Sequence, residues 1–564
     1  MNLKSNISII IEKALDKCDI SADVVINEST KPEFGDYQYN GAMPLAKVFK
    51  QNPREIAQRV VSQIEIGTII TKVEIAGAGF INIFLNRDWL SKNANIALKD
   101  KRLSVSKVKE PYNILIDYSG PNMAKEMHVG HLRSTIIGDS LANLSEFLGH
   151  NVIRQNHVGD WGTQFGMLIA YLEDIAQDST DNLKNLEQFY KDAKRRFDED
   201  ENFANKAREY VVKIQQGDSH CLKLWKKFID ISLQHCEDVY SKLGVSLSRD
   251  DVRAESFYNS ELDNIVKFLE SKSLINTSDG AKCIFFDNND TPMIIQKKDG
   301  GYLYATTDLA AIRYRVESLK ADKIFYVVDA RQSLHFKQLF EIALKAKLID
   351  GVALEHIAFG TMMDKSGRPF KTRDGGTVKL VNLLDESILK AKDAINKREN
   401  YSDDEINKIA QIVGIGAVKY ADLSINRESN YIFDWDKMLS FEGNTALYLQ
   451  YAYARINSIL KKYDGDIESC NIAIGDDLEE KLVLTLLKFE DTLQRVYSQS
   501  KPHILTLYLY DLTTLFMRFY EQNPILRDDI VEDIKKSRLA ISSFTAKTIK
   551  QGLEILGIEV VDRL

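Results

Sequence analysis

The residues best placed to do chemistry are two histidines three apart, His128 and His131, with Val129 and Gly130 between them. Imidazoles at that spacing on a loop can both turn toward one anion and donate hydrogen bonds to it. Gly130 lets the backbone come close to a ligand, and Lys125 adds a cation just upstream. This set suits in-line displacement at phosphorus, which needs stabilisation of the charge developing on the phosphoryl oxygens. Two histidines on a loop can also simply cap a helix, so the surrounding elements decide how far the reading goes.

Those elements spell a strand, a loop and a helix. Tyr112–Ser119 carries the apolar run Ile114-Leu115-Ile116, the pattern of a strand buried on both faces. Beyond the loop, Leu132, Ile136, Leu141, Leu144 and Leu148 recur at helical spacing and Gly149 stops the helix. Asn151–His157 then reads as a second strand, Ile324–Val328 as another, and Ala358-Phe359-Gly360 as the end of a third. A βαβ unit predicts a doubly wound sheet whose ligand crevice lies beyond the carboxyl ends of the strands, where the histidines fall. A helix N-terminus there is also an anion site, because its backbone N–H groups are free.

The predicted fold class is therefore α/β. A Rossmann-like doubly wound catalytic domain spans residues 106–400, with an α+β domain over 1–105 and an all-α bundle over 401–564. In the first region Gly77-Ala78-Gly79 forms a tight turn between the strands Lys72–Ile75 and Phe80–Leu85. Residues from about 171 to 270 are richer in charge and helix formers and read as an inserted helical segment. Within it Lys191–Arg196 reads as a solvated helix face, with RNA contact as the alternative. In the last region Thr445–Leu460 is apolar around much of its circumference, as for a buried bundle helix. Gly465, Pro502, Pro524 and Gly552 are expected at turns or helix ends.

Composition narrows the class. At roughly 100–200 residues per domain, 564 residues make three or four domains, with no need of a disulfide or metal staple. The five cysteines form no CxxC pair, so no structural zinc or other bound metal is expected and buried reduced thiols are. A net charge of −8 is unlike a simple nucleic-acid-binding domain, although a local basic face remains open. The apolar stretch Leu505–Met517 is cut by Asp511, and the start of the chain lacks the apolar core of a signal peptide; a cytoplasmic protein without a membrane partner is expected.

The extended string around the histidines carries a resemblance. Pro121-Asn122, Ala124-Lys125-Glu126-Met127 and His128–Arg133, continuing through Ser134-Thr135, resemble the HIGH segment of class I aminoacyl-tRNA synthetases, and of arginyl-tRNA synthetases in particular. Asn156-His157-Val158-Gly159-Asp160-Trp161-Gly162 is similar to the same family. The second ATP motif of that class, KMSKS, corresponds to Lys365–Gly376, where the usual pattern is absent, as in arginyl enzymes. The resemblance implies ATP contacts from His128, Gly130, His131, Lys371, Thr372 and Arg373. Which cation holds the pyrophosphate stays open, and Lys125 is the candidate for a charge the degenerate loop lacks.

An arginine side chain is a planar, permanently charged fork that asks for a carboxylate. Asp117 lies near the end of the first strand, and Tyr304 and Asp308 fall on one face if their segment is helical. By resemblance Tyr304, Asp308 and Gln332 line the amino-acid site, with Asn122 near the substrate backbone and Ser119 and His131 in the same arginine-binding set. Asp308 is expected as the main guanidinium partner and Asp117 as a helper; helix capping is the alternative for Asp308.

The implied function is ATP-dependent ligation of L-arginine to tRNA(Arg) through arginyl-adenylate, with Mg²⁺ accompanying ATP and no covalent nucleophile. No editing domain is required, because a wrong side chain leaves an unpaired buried carboxylate, worth roughly 10⁴-fold or more in discrimination. The third region resembles the anticodon-binding domain through Glu442–Ala446 and Tyr451–Ile456. There Tyr448, Tyr451 and Tyr453 are candidates to stack on splayed bases and Arg455 to contact phosphate or base edges, with core packing the alternative for any one tyrosine. The first region resembles the family's tRNA-elbow module, and a monomer is the family's usual state.

Overall fold

The computed structural model describes residues 2–175, 186–287, 289–370, 378–395 and 401–564. Its centre is a four-stranded parallel sheet. In spatial order the strands are Ala353–His356, Lys323–Tyr326, Asn113–Asp117 and Asn151–Gln155. The first strand in the chain thus has the second on one side and the third on the other. That reversal opens a crevice above the carboxyl ends of Asn113–Asp117 and Lys323–Tyr326. Ile114 and Ile116 enter one core and Leu115 the opposite one, so the apolar run is a strand covered on both faces.

Asp117 sits at the end of its strand, opposite Tyr326 on one side and Gln155 on the other. The helix Tyr304–Glu317 sends Arg315 across these three strand ends. Arg315 is 1% exposed; its Nη2 donates to Asp117 Oδ2 at 2.6 Å, its Nε donates to Gln155 Oε1 at 2.5 Å, and its guanidinium lies over the Tyr326 ring. Asp117 holds this cation well above the ordinary arginine range, although burial works against it.

The flanking units are tied to this sheet. An antiparallel sheet near the N-terminus has the order Ile26–Glu28, Tyr37–Tyr39, Phe80–Leu85, Ile70–Ala76. Its hairpin turns at Gly77 and Gly79, both with positive φ. The inserted segment supplies the helices Leu186–Glu199, Glu201–Gln215 and Ser219–Leu243, and a three-stranded antiparallel sheet over residues 276–296 follows that the sequence did not suggest. In the first of these helices Lys194 pairs with Asp198, Arg195 with Asp192 and Arg196 with Asp174, which fits the solvated-face reading of that cluster.

The helical region docks on the sheet through buried charge. Arg133, on the helix Val129–Phe147, donates from Nε to Asp422 Oδ1 at 3.2 Å and from Nη1 to the Ser429 carbonyl at 3.0 Å. Asp422 belongs to the helix Asp403–Leu423, and Lys419 one turn earlier donates to the Leu243 carbonyl at 2.9 Å. Gly552, expected at a helix end, lies inside the helix Glu532–Ile555. A Cβ there would meet Leu509 Cδ2 at 2.6 Å, so the glycine serves close helix packing rather than a stop. All five cysteines are buried, and among the described residues no helix is long and apolar enough to cross a membrane.

Arg315→Met should strand a carboxylate at the strand ends and lower the stability of the sheet by about 3–5 kcal/mol. Adding Asp117→Asn should recover much of the loss, read as the midpoint of thermal unfolding. An equal fall in the single and double variants would show that the pair does not carry the effect.

Candidate active site

The loop from Ser119 to His128 joins the central strand to the helix Val129–Phe147. Ser119 (φ 74°), Gly120 (φ 53°) and Ala124 (φ 70°) are all left-handed. For the two non-glycine residues that costs on the order of 1–3 kcal/mol each, and a closed hydrogen-bond ring offsets it. The Ser119 hydroxyl lies 2.7 Å from the Tyr240 hydroxyl and accepts from Thr135 Oγ1 at 3.0 Å. Asn156 donates from Nδ2 to the same Tyr240 oxygen, while its Oδ1 accepts from Gly120 N. Further along, Ala124 N donates to Ser232 Oγ at 2.9 Å. Tyr240 and Ser232 both stand on the inserted helix Ser219–Leu243, so the insertion shapes the loop. Ser119, expected beside the amino acid, has its hydroxyl spent on this ring.

The two histidines cap their helix and cap each other. His128 is the N-cap; its Nδ1 accepts from Gly130 N at 3.0 Å, while His131 Nδ1 accepts from His128 N at 3.1 Å. The ring centroids are 4.0 Å apart. With both Nδ1 atoms accepting, the network assigns the proton of each neutral ring to Nε2. Burial, helped by His128, lowers His131 to about 3, and burial with Lys125 nearby lowers His128. Both rings are therefore neutral donors near pH 7, aimed by backbone that cannot rotate with them. Capping and anion binding, set out as alternatives from the sequence, are two uses of one geometry. Gly130 has its own reason: a Cβ would meet His128 Nδ1 at 2.8 Å and push the ring aside.

On the other side of the crevice carboxylates gather. Asp308 Oδ2 lies 2.6 Å from His335 Nε2. Asp160, 2% exposed, accepts from Ser256 N at 2.9 Å and from Ser256 Oγ at 2.5 Å, which fixes the neighbouring Glu255. Burial first, then the charges of Asp160 and Asp308, pushes Glu255 up to about 7. His157, lowered by burial, keeps a buried Nδ1 that has no hydrogen-bond partner among the described residues. Asp117, expected to help hold a guanidinium, instead holds the chain's own Arg315, which cancels most of its charge. Tyr304 is 72% exposed at the start of its helix and Gln332 is exposed at the end of a short 3₁₀ turn. Asn122 is exposed too, bridged to Gly159, where a Cβ would meet Asn122 Oδ1 at 2.3 Å. Lys371, Thr372 and Arg373 lie outside the described residues.

In the helical region Tyr453 turns inward on Ala446–Leu460 and is 7% exposed, so it packs the core and leaves the stacking set. Tyr451 and Arg455 remain half-buried and joined: Arg455 Nη1 donates to the Tyr451 hydroxyl at 3.2 Å and its guanidinium lies over the Tyr520 ring. Tyr448 packs against Tyr510.

Known proteins share this arrangement. A model for the catalytic domain of class I tRNA synthetases (R) matches residues 93–435. Models for the arginyl-tRNA synthetase N-terminal domain and the DALR anticodon binding domain match 2–85 and 449–564. The chain is 52% identical over 553 residues to the arginine–tRNA ligase of Chromobacterium violaceum, covering 96% of each. The chain belongs to the arginyl-tRNA synthetase family. Its relative in Cellvibrio japonicus, also an arginine–tRNA ligase, is 51% identical over the full length of both chains. The crystal structure of the arginyl-tRNA synthetase from Plasmodium falciparum superposes with a TM-score of 0.87 at 32% identity, covering 100% of this chain and 99% of that one.

For an arginyl-tRNA synthetase the residues that sequence reasoning passed over are Glu255, Asp160, His157 and His335. Asp160 and His157 lie in a string already singled out, and His335 lies three residues beyond Gln332. Glu255 lies in the segment read as a helical insertion, and no spacing ties it to the motif. Its raised pKa makes it a titratable group beside Asp160 and Asp308: a neutral acid below about pH 7, a carboxylate above. A guanidinium binds the carboxylate and releases the proton, so affinity for L-arginine should rise between about pH 6 and 8. Calorimetric titration in two buffers of different ionisation heat should detect that proton, and Glu255→Gln should flatten the slope. The same slope in the variant would remove Glu255 from the pocket.

Proposed function

We propose that this chain joins L-arginine to tRNA(Arg) in two steps, through arginyl-adenylate. In the first, a carboxylate oxygen of arginine attacks the α-phosphorus of ATP, the bond to the β-phosphate oxygen breaks, and pyrophosphate leaves. ATP arrives as its Mg²⁺ complex, the metal held mainly by phosphates and water. In the second, a hydroxyl of the terminal adenosine of tRNA attacks the activated carbonyl and AMP leaves. By likeness to class I enzymes this is the 2′-hydroxyl.

The observation that carries the reading is the histidine pair. Two neutral Nε2–H donors, locked by a reciprocal cap at a helix N-terminus, face the crevice at the strand-order reversal. They meet developing charge without reorganising. Neutral rings carry no positive charge, so the cationic work falls to other residues. Lys125 is proposed to take it, with Lys371, Thr372 and Arg373 as further proposed ATP contacts. Asp308, oriented by His335, is proposed as the main guanidinium acceptor, with Glu255 opposite, Tyr304 and Gln332 at the rim, and Asn122 toward the substrate backbone. Asp117 supports the pocket floor through Arg315.

The domain division 1–105, 106–400 and 401–564 is proposed to follow the RNA: elbow, reacting end and anticodon. Tyr451, Arg455 and Tyr448 are the proposed anticodon contacts, and the enzyme is proposed to act as a cytoplasmic monomer.

Charging of bulk tRNA with each labelled standard amino acid, ATP and Mg²⁺ tests the proposal. Arginine alone should be incorporated, and His128→Ala with His131→Ala should abolish it. Asp308→Asn should raise the arginine KM by about 10- to 100-fold, the worth of a hydrogen bond to a charged group, while sparing the ATP KM. Charging with another amino acid would overturn the pocket, and an unchanged KM would overturn Asp308.

A further inference from the structure

The active-site loop carries two charged residues before its histidines, and the structure treats them differently. Glu126 is paired with Lys379 at 3.0 Å. Lys125 is exposed, and among the described residues no carboxylate is paired with it. Its ammonium lies instead over the ring of Tyr190, 5.0 Å from the centroid. Tyr190 belongs to the inserted helix Leu186–Glu199, which is itself a fixed platform. The neighbouring Phe189 is buried against Tyr171 and Phe228, with ring centroids 5.1 and 5.9 Å away, and Arg196 holds Asp174 at 2.7 Å.

The choice of partner matters physically. A carboxylate would fix the ammonium but cancel its charge. An aromatic face attracts the cation through the ring quadrupole and leaves the net charge intact. The grip is weak enough for a polyphosphate to take the ammonium, yet it limits where a long, flexible side chain waits. The loop around Lys125 is already pinned to the same insertion by Ala124 N on Ser232 Oγ and by Ser119 on Tyr240. Tyr190 adds a third point, the only one of these three that acts on a charge.

We propose that Tyr190 is a positioning residue for activation: its ring face holds the Lys125 ammonium, uncancelled, beside the histidine pair until ATP takes it. This rests on the reading that Lys125 acts on the polyphosphate. ATP–pyrophosphate exchange by the full chain, with arginine and tRNA present, tests both. Lys125→Ala should slow exchange. Tyr190→Leu should lower kcat/KM for ATP by about two- to fivefold, the worth of an exposed cation–π contact. It should leave the arginine KM unchanged. Tyr190→Phe, which keeps the ring, should match the parent. In the Lys125→Ala background Tyr190→Leu should add nothing. Full exchange in Tyr190→Leu, or the same loss with and without Lys125, would overturn the positioning role alone. Full exchange in Lys125→Ala would overturn the reading of Lys125 beneath it.

Discussion

A buried arginine at the ends of three strands sets the terms for the rest of the molecule. Arg315 binds Asp117 and Gln155 and lies over Tyr326, so one side chain fixes the carboxyl ends of the central strand and both of its neighbours. A cation so deep is tolerable only because Asp117 answers it, and Asp117 only because of Arg315. The consequence reaches the ligand pocket. With Asp117 already neutralised, uncancelled negative charge lies farther along, at Asp308 and, above neutral pH, Glu255. The pocket for a charged fork is therefore built beside an internal copy of the same interaction, and the two must not exchange partners. The second contact from Gln155, which no ligand supplies, holds Arg315 to its own site.

Across the crevice the problem is inverted, because the ligand there is an anion. Lys125 is the proposed source of positive charge there. The histidines are neutral and add oriented N–H donors for the charge that develops in the transition state. Their orientation costs nothing at the moment of reaction, since backbone N–H groups at the helix start already occupy both Nδ1 atoms. The same reciprocal cap explains why glycine stands at position 130: any side chain would collide with His128. Helix capping, tautomer choice and anion recognition are one constraint seen at three scales.

Much of this was legible in the residues. Ile114-Leu115-Ile116 declared a strand covered on both faces, the spacing from Leu132 to Leu148 declared the helix, and the histidines fell at the junction between them. Predicted ends ran past the observed ones where strand and loop share side-chain character, by two residues at Tyr118-Ser119 and by up to four at Ala358–Gly360. Contacts that depend on distant parts of the chain were out of reach. Nothing local tells that Asp117 will meet Arg315, that Glu255 will face Asp308, or that Gly552 is small to admit Leu509 rather than to stop a helix. Tyr451 and Tyr453 differ only in which side of one helix they occupy, and stacking propensity cannot separate them. Such facts belong to packing, where the identity of the neighbour decides the role.

The helix that begins at the histidines is also joined to the helical region through buried charge. Arg133 reaches Asp422, and Lys419, one turn earlier on the partner helix, lies near Asp139 and donates to the end of the inserted helix. Apolar helix faces can slide by small steps at little cost, because one methyl group replaces another. Buried charges cannot, since half a step leaves an ion without its partner, at several kcal/mol. The junction between the bundle and the histidine helix is therefore stiff along its length and has few intermediate positions. The insertion that shapes the loop through Tyr240 and Ser232 is fastened to the same junction at Leu243, so loop, helix and bundle share one set of anchor points.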